Sequence, residues 1–384
     1  MTLAFILSTA LLFHTLAGYP LLMLAMARLR PRSVRKDDFA RSFSVVLCAR
    51  DEGERLVLRL ENLLNMDYPP DLMEIVVVSD GSTDTTDDVV RSFAQQRVRL
   101  IRLERPLGKA AALNAGVAAS SYPLLLLCDA RQSFGTDVAR RLMAHFADPD
   151  VGAVSGRLCL RPASQTAAAS GVGSYWNYEV MLRDSEAASG SVVGVTGAIY
   201  AMRRELWTPL PPGTILDDVL APMRVVLAGK RVVYDTDALA VDSKPVHDAG
   251  ELTRKVRTLL GNLQLIQLAP ELLSPWRNPI WFRFVSHKMA RLFLPAMLAG
   301  CLVTSLAAGG WLAVLGVAQL AFWIAAIAAW RFGWQGFPWR AMAGLLLLNA
   351  AVVRAWMLWI RGRYDVWDKA SSHDANARGQ GTRP

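Results

Sequence analysis

The sequence predicts an α/β protein: a mostly parallel sheet flanked by helices, with transmembrane and interfacial helices at both ends. Three observations predict it. Two short apolar runs, Glu74 to Asp80 and Pro123 to Asp129, end abruptly in an aspartate. Such runs read as buried parallel strands that deliver carboxylates to one edge of a sheet. Strand-like and helix-like stretches alternate over residues 42–240, and that order implies parallel strands with helices on both faces. Apolar residues make up 53% of the 384 and concentrate at 3–27 and beyond about 290. That is high and uneven for a wholly soluble chain.

Taken in order, residues 3–27 are long enough to span a bilayer. No basic stretch precedes them and no clear cleavage site follows, which argues against a secretory signal. Arg28, Arg30, Arg32, Arg35, Lys36 and Arg41 come next. The positive-inside rule keeps this loop cytoplasmic, turns the N-terminus outward and places the following domain in the cytosol, at the inner membrane. Residues 44–49 read as a strand. Glu52 to Asn65 reads as a helix with Leu56, Leu60, Leu63 and Leu64 on one face. A strand at 74–79, a helix from Thr85 to Arg97 and a strand from Val98 to Leu103 follow. Then come a small-residue helix from Lys109 to Ala119 and a strand at 123–128. The Ala/Ser/Gly-rich stretch 163–174 reads as a mobile loop, with a helix beginning near Tyr175 to Tyr178.

Residues 250–290 change character. The stretch from Leu263 to Leu268 and the aromatics Trp276, Trp281, Phe282 and Phe284 suit amphipathic helices lying in the membrane interface. Spans are expected at about 292–308 and 311–330, separated by Gly309 and Gly310. A further apolar segment, 341–360, carries Asn349 and Arg354. A basic tail with Arg361, Arg363, Lys369, Arg378 and Arg383 follows it. The tail's charge favours a cytosolic end, and a fourth full span would place it outside. Residues 341–360 are therefore expected to be re-entrant or interfacial. The resulting organisation is an N-terminal span and basic loop (1–41), a cytosolic domain (42–249) and interfacial helices (250–290). C-terminal membrane helices (291–361) and a cytosolic tail (362–384) complete it.

The net charge is +9. Its basic residues gather beside the apolar segments, so the partner they imply is anionic lipid and not nucleic acid. Cys48, Cys128, Cys159 and Cys301 are scattered, without a paired spacing. That pattern excludes a zinc site and fits reduced thiols in a cytosolic domain.

In open α/β sheets ligands bind at the carboxyl edge. Asp80 and Asp129 end strands there, and a third acidic element, Asp217 with Asp218, follows Thr214. Acids at that edge, followed by membrane-length segments, suggest an enzyme that holds a charged, metal-bound donor beside a bilayer. A strand-end Asp80 can accept a hydrogen bond from a pyrimidine imide, which favours a uridine donor. Lys109 opens a helix after Gly108, where a cation and free backbone N–H groups could cradle a diphosphate. The plainer readings are a turn and helix cap for Asp80 to Asp84, a surface lysine, and a capped helix at Asp217 and Asp218.

Five motifs in order resemble the family 2 glycosyltransferases of GT-A fold, in the membrane-embedded branch that includes bacterial polysaccharide synthases. They are Ala49 to Glu52, Ser79 to Asp84, Gly108 to Asn114, Gly197 to Arg203, and the pair Asp217 and Asp218. The match covers roughly residues 42–260. The resemblance implies an inverting transferase acting on a nucleotide diphosphate sugar, a UDP-hexose or UDP-N-acetylhexosamine. The acceptor is a growing polysaccharide or other membrane-associated saccharide. It also implies roles. Asp218 is the catalytic base. Ala49, Glu52 and Asp80 line the nucleoside, while Lys109, Asp129, Arg131 and Arg257 face the diphosphate. Gly197 and Asp217 lie on the acceptor side. Asp129 is the first acid of the family's Asp-x-Asp motif and holds Mg2+ or Mn2+.

Two departures stand out. The second acid of that motif is Arg131, which puts metal dependence in question. In the family's Gln-x-x-Arg-Trp motif, Arg257 keeps the arginine, but Arg254 and Thr258 replace the glutamine and tryptophan. The missing tryptophan opens a single-addition alternative on a lipid-linked acceptor, and Arg131 opens a non-catalytic scaffold or glycan-binding subunit. His287 and Arg354 carry no assignment. No appended regulatory domain is visible in the sequence, so control is expected from a partner such as an export or regulatory subunit.

Overall fold

The computed structural model describes residues 1–160, 171–242 and 248–364. Chain order begins with α1 (Thr2–Leu29), a 28-residue apolar helix. The domain opens with β1 (Phe43–Ala49), α2 (Gly53–Leu64), β2 (Met73–Asp80), α3 (Thr86–Ser92) and β3 (Val98–Leu103). It continues with α4 (Lys109–Ala119), β4 (Leu124–Asp129), the two-residue β5 (Ser133–Phe134) and α5 (Val138–Ala144). Then come β6 (Val151–Leu160), α6 (Gly171–Ala188), β7 (Ile199–Arg203), α7 (Asp217–Leu227), β8 (Arg231–Asp242) and α8 (Asp248–Leu268). Three helices close the described chain: α9 (Trp281–Ala308), α10 (Gly310–Phe332) and α11 (Trp339–Ile360). With α1 they make four helices long and apolar enough to cross a membrane.

The strands form one sheet in the order β3-β2-β1-β4-β7-β6-β8-β5. The β3-β2-β1-β4 half is parallel throughout, and β6 runs parallel to β8. β7 is antiparallel to both neighbours, and β5 is antiparallel to β8. The sheet is thus mostly parallel and mixed at its second half. Alternate residues of β1 serve opposite faces, as the pleat requires. Phe43, Val45 and Leu47 pack with Leu56, Leu60 and Leu63 of α2. Val46 faces Ala110, Leu113 and Val117 of α4.

Several boundaries differ from expectation. The helix expected from Thr85 to Arg97 stops at Ser92, because a short 3-10 turn and a left-handed Arg97 (φ 61°) redirect the chain into β3. Of the loop expected at 163–174, residues 163–170 lie outside the described residues, and Gly171 already begins α6. The aromatics Trp281, Phe282 and Phe284 form the first turn of the long helix α9 and not a separate interfacial helix. The apolar face of α8 is a protein contact: Leu260 and Leu263 are fully buried in the core cluster that holds α7. Residues 341–360 belong to one 22-residue helix, Trp339–Ile360.

The C-terminal end of α11 packs against α8 and α9. Ala351, Val352 and Ala355 are buried, Trp356 Nε1 donates to Leu292 O at 2.9 Å, and the Tyr364 hydroxyl meets Gln267 Oε1 at 2.7 Å. A buried polar cluster fastens α1, α6 and α9 together. Tyr19 donates to Glu186 at 2.5 Å, and the His287 ring joins Glu186 (2.8 Å) to Glu179 (3.2 Å). The ring of His287, unassigned from sequence, is therefore a structural bridge.

Candidate functional site

Parallel register brings the ends of β1, β2 and β4 to one edge: Ala49 pairs with Ser79, and Cys48 with Asp129. Asp80 is the last residue of β2. Its Oδ1 accepts the Leu107 N–H at 2.7 Å and its Oδ2 the Gly108 N–H at 2.9 Å. Asp80 therefore fixes the loop that delivers Lys109. Gly81 makes this approach possible, with φ 65° and space for no Cβ, since one would stand 2.6 Å from Pro106 N. Asp84 anchors the facing loop by accepting the Gly53 N–H at 3.0 Å and the Thr86 N–H at 2.9 Å. Glu52 pairs with Arg55 at 2.8 Å, and Ala49 is buried.

The charged centre lies between α4, β4 and α7. Lys109 Nζ stands 3.0 Å from Asp129 Oδ1 and 3.3 Å from Asp217 Oδ2. A Cβ at Gly197 would lie 3.5 Å from both Lys109 Nζ and Asp218 Oδ2, so all of these groups border one space. Burial alone would depress the Lys109 pKa. Asp129, Asp217 and Asp218 outweigh it and hold the ammonium well above the ordinary lysine value. Burial pushes the Asp217 carboxyl up, Lys109 opposes the rise, and Asp218 and Asp129 add to it.

Arg257 reaches the same centre from α8. Burial lowers its pKa, against the pull of Asp218, Asp217 and Asp129. Its helix is seated by Gly261, where a Cβ would meet Leu216 Cγ at 2.5 Å. One turn on, Gln264 clamps the segment before α7, accepting the Ile215 N–H (2.9 Å) and donating to Gly213 O (3.0 Å). Close packing of α8 on residues 213–216 thus holds Arg257 within electrostatic reach of Asp218.

Arg131, expected to face the diphosphate, keeps a side chain that is 42% exposed. It forms a 2.8 Å ion pair with Asp242, which also accepts from Gln132 at 3.1 Å. Asp242 was missed, although its signal was available: β8 is a further strand that ends in an aspartate. The site also includes Tyr200, whose buried hydroxyl has its pKa raised by burial and then by Asp217. Two motif residues serve structure. Asn114 holds Leu210 through both backbone atoms (2.9 Å each), and Arg203 donates to Val151 O at 2.9 Å.

Residues 44–206 match the sequence profile of Glycosyl transferase family 2. That stretch of the chain is similar to the family 2 glycosyltransferases. Its curated relatives include a poly-beta-1,6-N-acetyl-D-glucosamine synthase of Staphylococcus epidermidis, 23% identical over 228 residues, covering 58% of this chain and 55% of that protein. The synthase of the same name from Staphylococcus aureus is 23% identical over 234 residues, covering 60% and 56%. The chain thus spans about half the length of the curated relatives it matches. Among solved structures, a mannosyltransferase from Pyrobaculum calidifontis, in complex with GDP-Man and Mn2+, superposes with TM-score 0.68 at 22% identity. The superposition covers 95% of this chain and 99% of that one. This likeness carries the fold, GT-A, through the glycosyltransferase domain and the helices beyond it.

Proposed function

We propose that the glycosyltransferase domain moves a sugar, with inversion, from a nucleotide diphosphate donor to a saccharide hydroxyl at a membrane surface. The observation that carries the reading is Lys109 held between Asp129 and Asp217, with Asp218 beside it and Arg257 within electrostatic reach of the same three acids. Asp218 takes the acceptor's proton as its oxygen forms the new bond to the anomeric carbon. The bond from that carbon to the phosphate oxygen breaks, and its electron pair leaves with the nucleoside diphosphate. Lys109 and Arg257 offset the charge that develops there. Asp80, Ala49 and Glu52 border the nucleoside end of the edge. Gly197 leaves room for the acceptor.

The relatives' names support a UDP-N-acetylhexosamine donor and a polysaccharide acceptor. The basic loop after α1 supports an inner-membrane protein with its domain in the cytosol. Among the described residues no group of three or more His, Cys, Asp or Glu could form a metal cage. Asp129, 40% exposed, fits a Mg2+ or Mn2+ ion shared with donor phosphates, which would neutralise charge on the leaving diphosphate. A second reading, a single addition to a lipid-linked acceptor, draws on Thr258. It is exposed and its hydroxyl bonds Arg254 O at 3.0 Å, where the resemblance would place an aromatic cap.

The test offers radiolabelled nucleotide sugars to the chain in native membranes, with and without chelator. Turnover of a UDP-N-acetylhexosamine that chelator suppresses is expected. One added sugar, against a ladder of products, decides between the two readings. Absence of turnover with every donor would remove the proposal.

A further inference from the structure

A cavity of about 380 Å3 opens where α1 meets the domain, far in sequence from the charged centre. Its described lining includes Arg32, Lys230, Arg231 and Arg283, and no acidic residue. Its other wall is apolar, with Met26 of α1 and Ile280 and Phe282 at the start of α9. Phe282 is 42% exposed and belongs to α9, one of the four helices long and apolar enough to cross a membrane.

The two buried arginines are held rigidly. Arg231 donates to Gly190 O (3.2 Å), Ser33 O (3.1 Å) and Arg32 O (2.9 Å). Arg283 donates to Ser191 O and Ser189 O at 2.9 Å each. Carbonyl oxygens satisfy these donors without supplying a full negative charge. The carboxylate behind Arg283, Glu186, is already engaged by Tyr19 and His287. Arg32 is exposed, and among the described residues Lys230 is held only by Pro149 O at 3.1 Å. Four cations therefore surround one space with no anion in its wall, and an apolar shelf leads from it to the membrane helices.

We propose that this cavity binds the phosphate-bearing headgroup of an anionic membrane lipid, with the acyl chains lying along Met26 and Phe282. Cations beside a bilayer attract anionic headgroups, and an apolar wall selects a lipid over free phosphate. The site fixes the tilt of α1 against the domain, so the lipid acts as part of the joint. The inference depends on membrane placement and not on the transferase reading.

The test uses the full chain in nanodiscs of phosphatidylcholine with or without phosphatidylglycerol, followed by detergent extraction and native mass spectrometry of retained lipid. Phosphatidylglycerol retained at least tenfold over phosphatidylcholine is expected. The double substitution Arg32→Gln with Lys230→Gln removes charge without touching the carbonyl-bound arginines, and should lower retention about tenfold. Met26→Trp, which fills the shelf and leaves every charge in place, should do the same. Both variants are checked for an unchanged melting temperature, and inorganic phosphate is run as competitor. Equal retention of both lipids, or wild-type retention by both variants, would overturn the site. Displacement by phosphate at the headgroup's own concentration would overturn the lipid as its ligand. Retained lipid is measured without sugar transfer, so failure here leaves the catalytic proposal to its own assay.

Discussion

Asp217 and Asp218 are adjacent acids with different environments. Asp217 is 6% exposed and paired with Lys109, while Asp218 keeps partial exposure on the space beside Gly197. A base must reach its substrate, which selects Asp218. Asp218→Asn is expected to lower transfer by about 10²–10⁴-fold with donor binding retained, measured by single-turnover assay and donor titration. Wild-type turnover by that variant would remove Asp218 from the role. The Asp80 carboxylate makes a different point: both oxygens hold the loop before Lys109. Gly81→Ala should therefore raise the donor KM, because a Cβ there collides with Pro106 and displaces the Asp80-held loop. The acids at 80, 129 and 218 were legible in the sequence because a strand end or helix start marks each one. Asp242 carries the same mark. It was overlooked because only its pairing with Arg131 gives it meaning, and that contact joins residues far apart in the chain.

Elements supply what those residues lack alone. α8 read as an interfacial helix because its apolar stripe and basic residues match a lipid-facing pattern. Its stripe packs on the segment before α7, with Gly261 close to Ile215 and Leu216. Gly261→Val should overpack that contact, cost about 1–3 kcal/mol by denaturant unfolding, and lower turnover by moving Arg257 away from the charged centre. Turnover unchanged in a destabilised variant would detach Arg257 from the site. β8 offers a separate test. Burial would raise the Asp235 carboxyl, but His145 at 2.7 Å and Lys36 at 3.1 Å hold it below the usual range. A depressed carboxyl stabilises the fold above its unfolded value, near 3.8, and that stability is lost as pH falls through the folded value. Asp235→Asn should flatten the acid limb of the melting-temperature profile. An unchanged limb would show that another group governs it.

At the scale of the whole molecule, α9 begins on the domain, where Arg283 binds Ser189 and Ser191. α11 ends against α8, where Tyr364 meets Gln267. We expect the start of α9 and the end of α11 to face the same side of a membrane. In a variant without native cysteines, a cysteine placed at Gly362 should react with an impermeant thiol reagent from the same side as one at Asp88. Labelling from opposite sides would refute this arrangement.

The sequence by itself determined the class of fold, the parallel edge at Ala49, Asp80 and Asp129, and the apolar length of the membrane helices. Those features follow from local patterns: strand runs, turn residues and helix-length apolar segments. The tertiary structure alone decided that Arg131 pairs with Asp242, that Leu260 and Leu263 of α8 are buried against protein, and that α11 ends against α8. Each of these depends on which surfaces meet across long stretches of chain. A local pattern shows that a face is apolar or charged, but the partner that buries or neutralises it is set by packing.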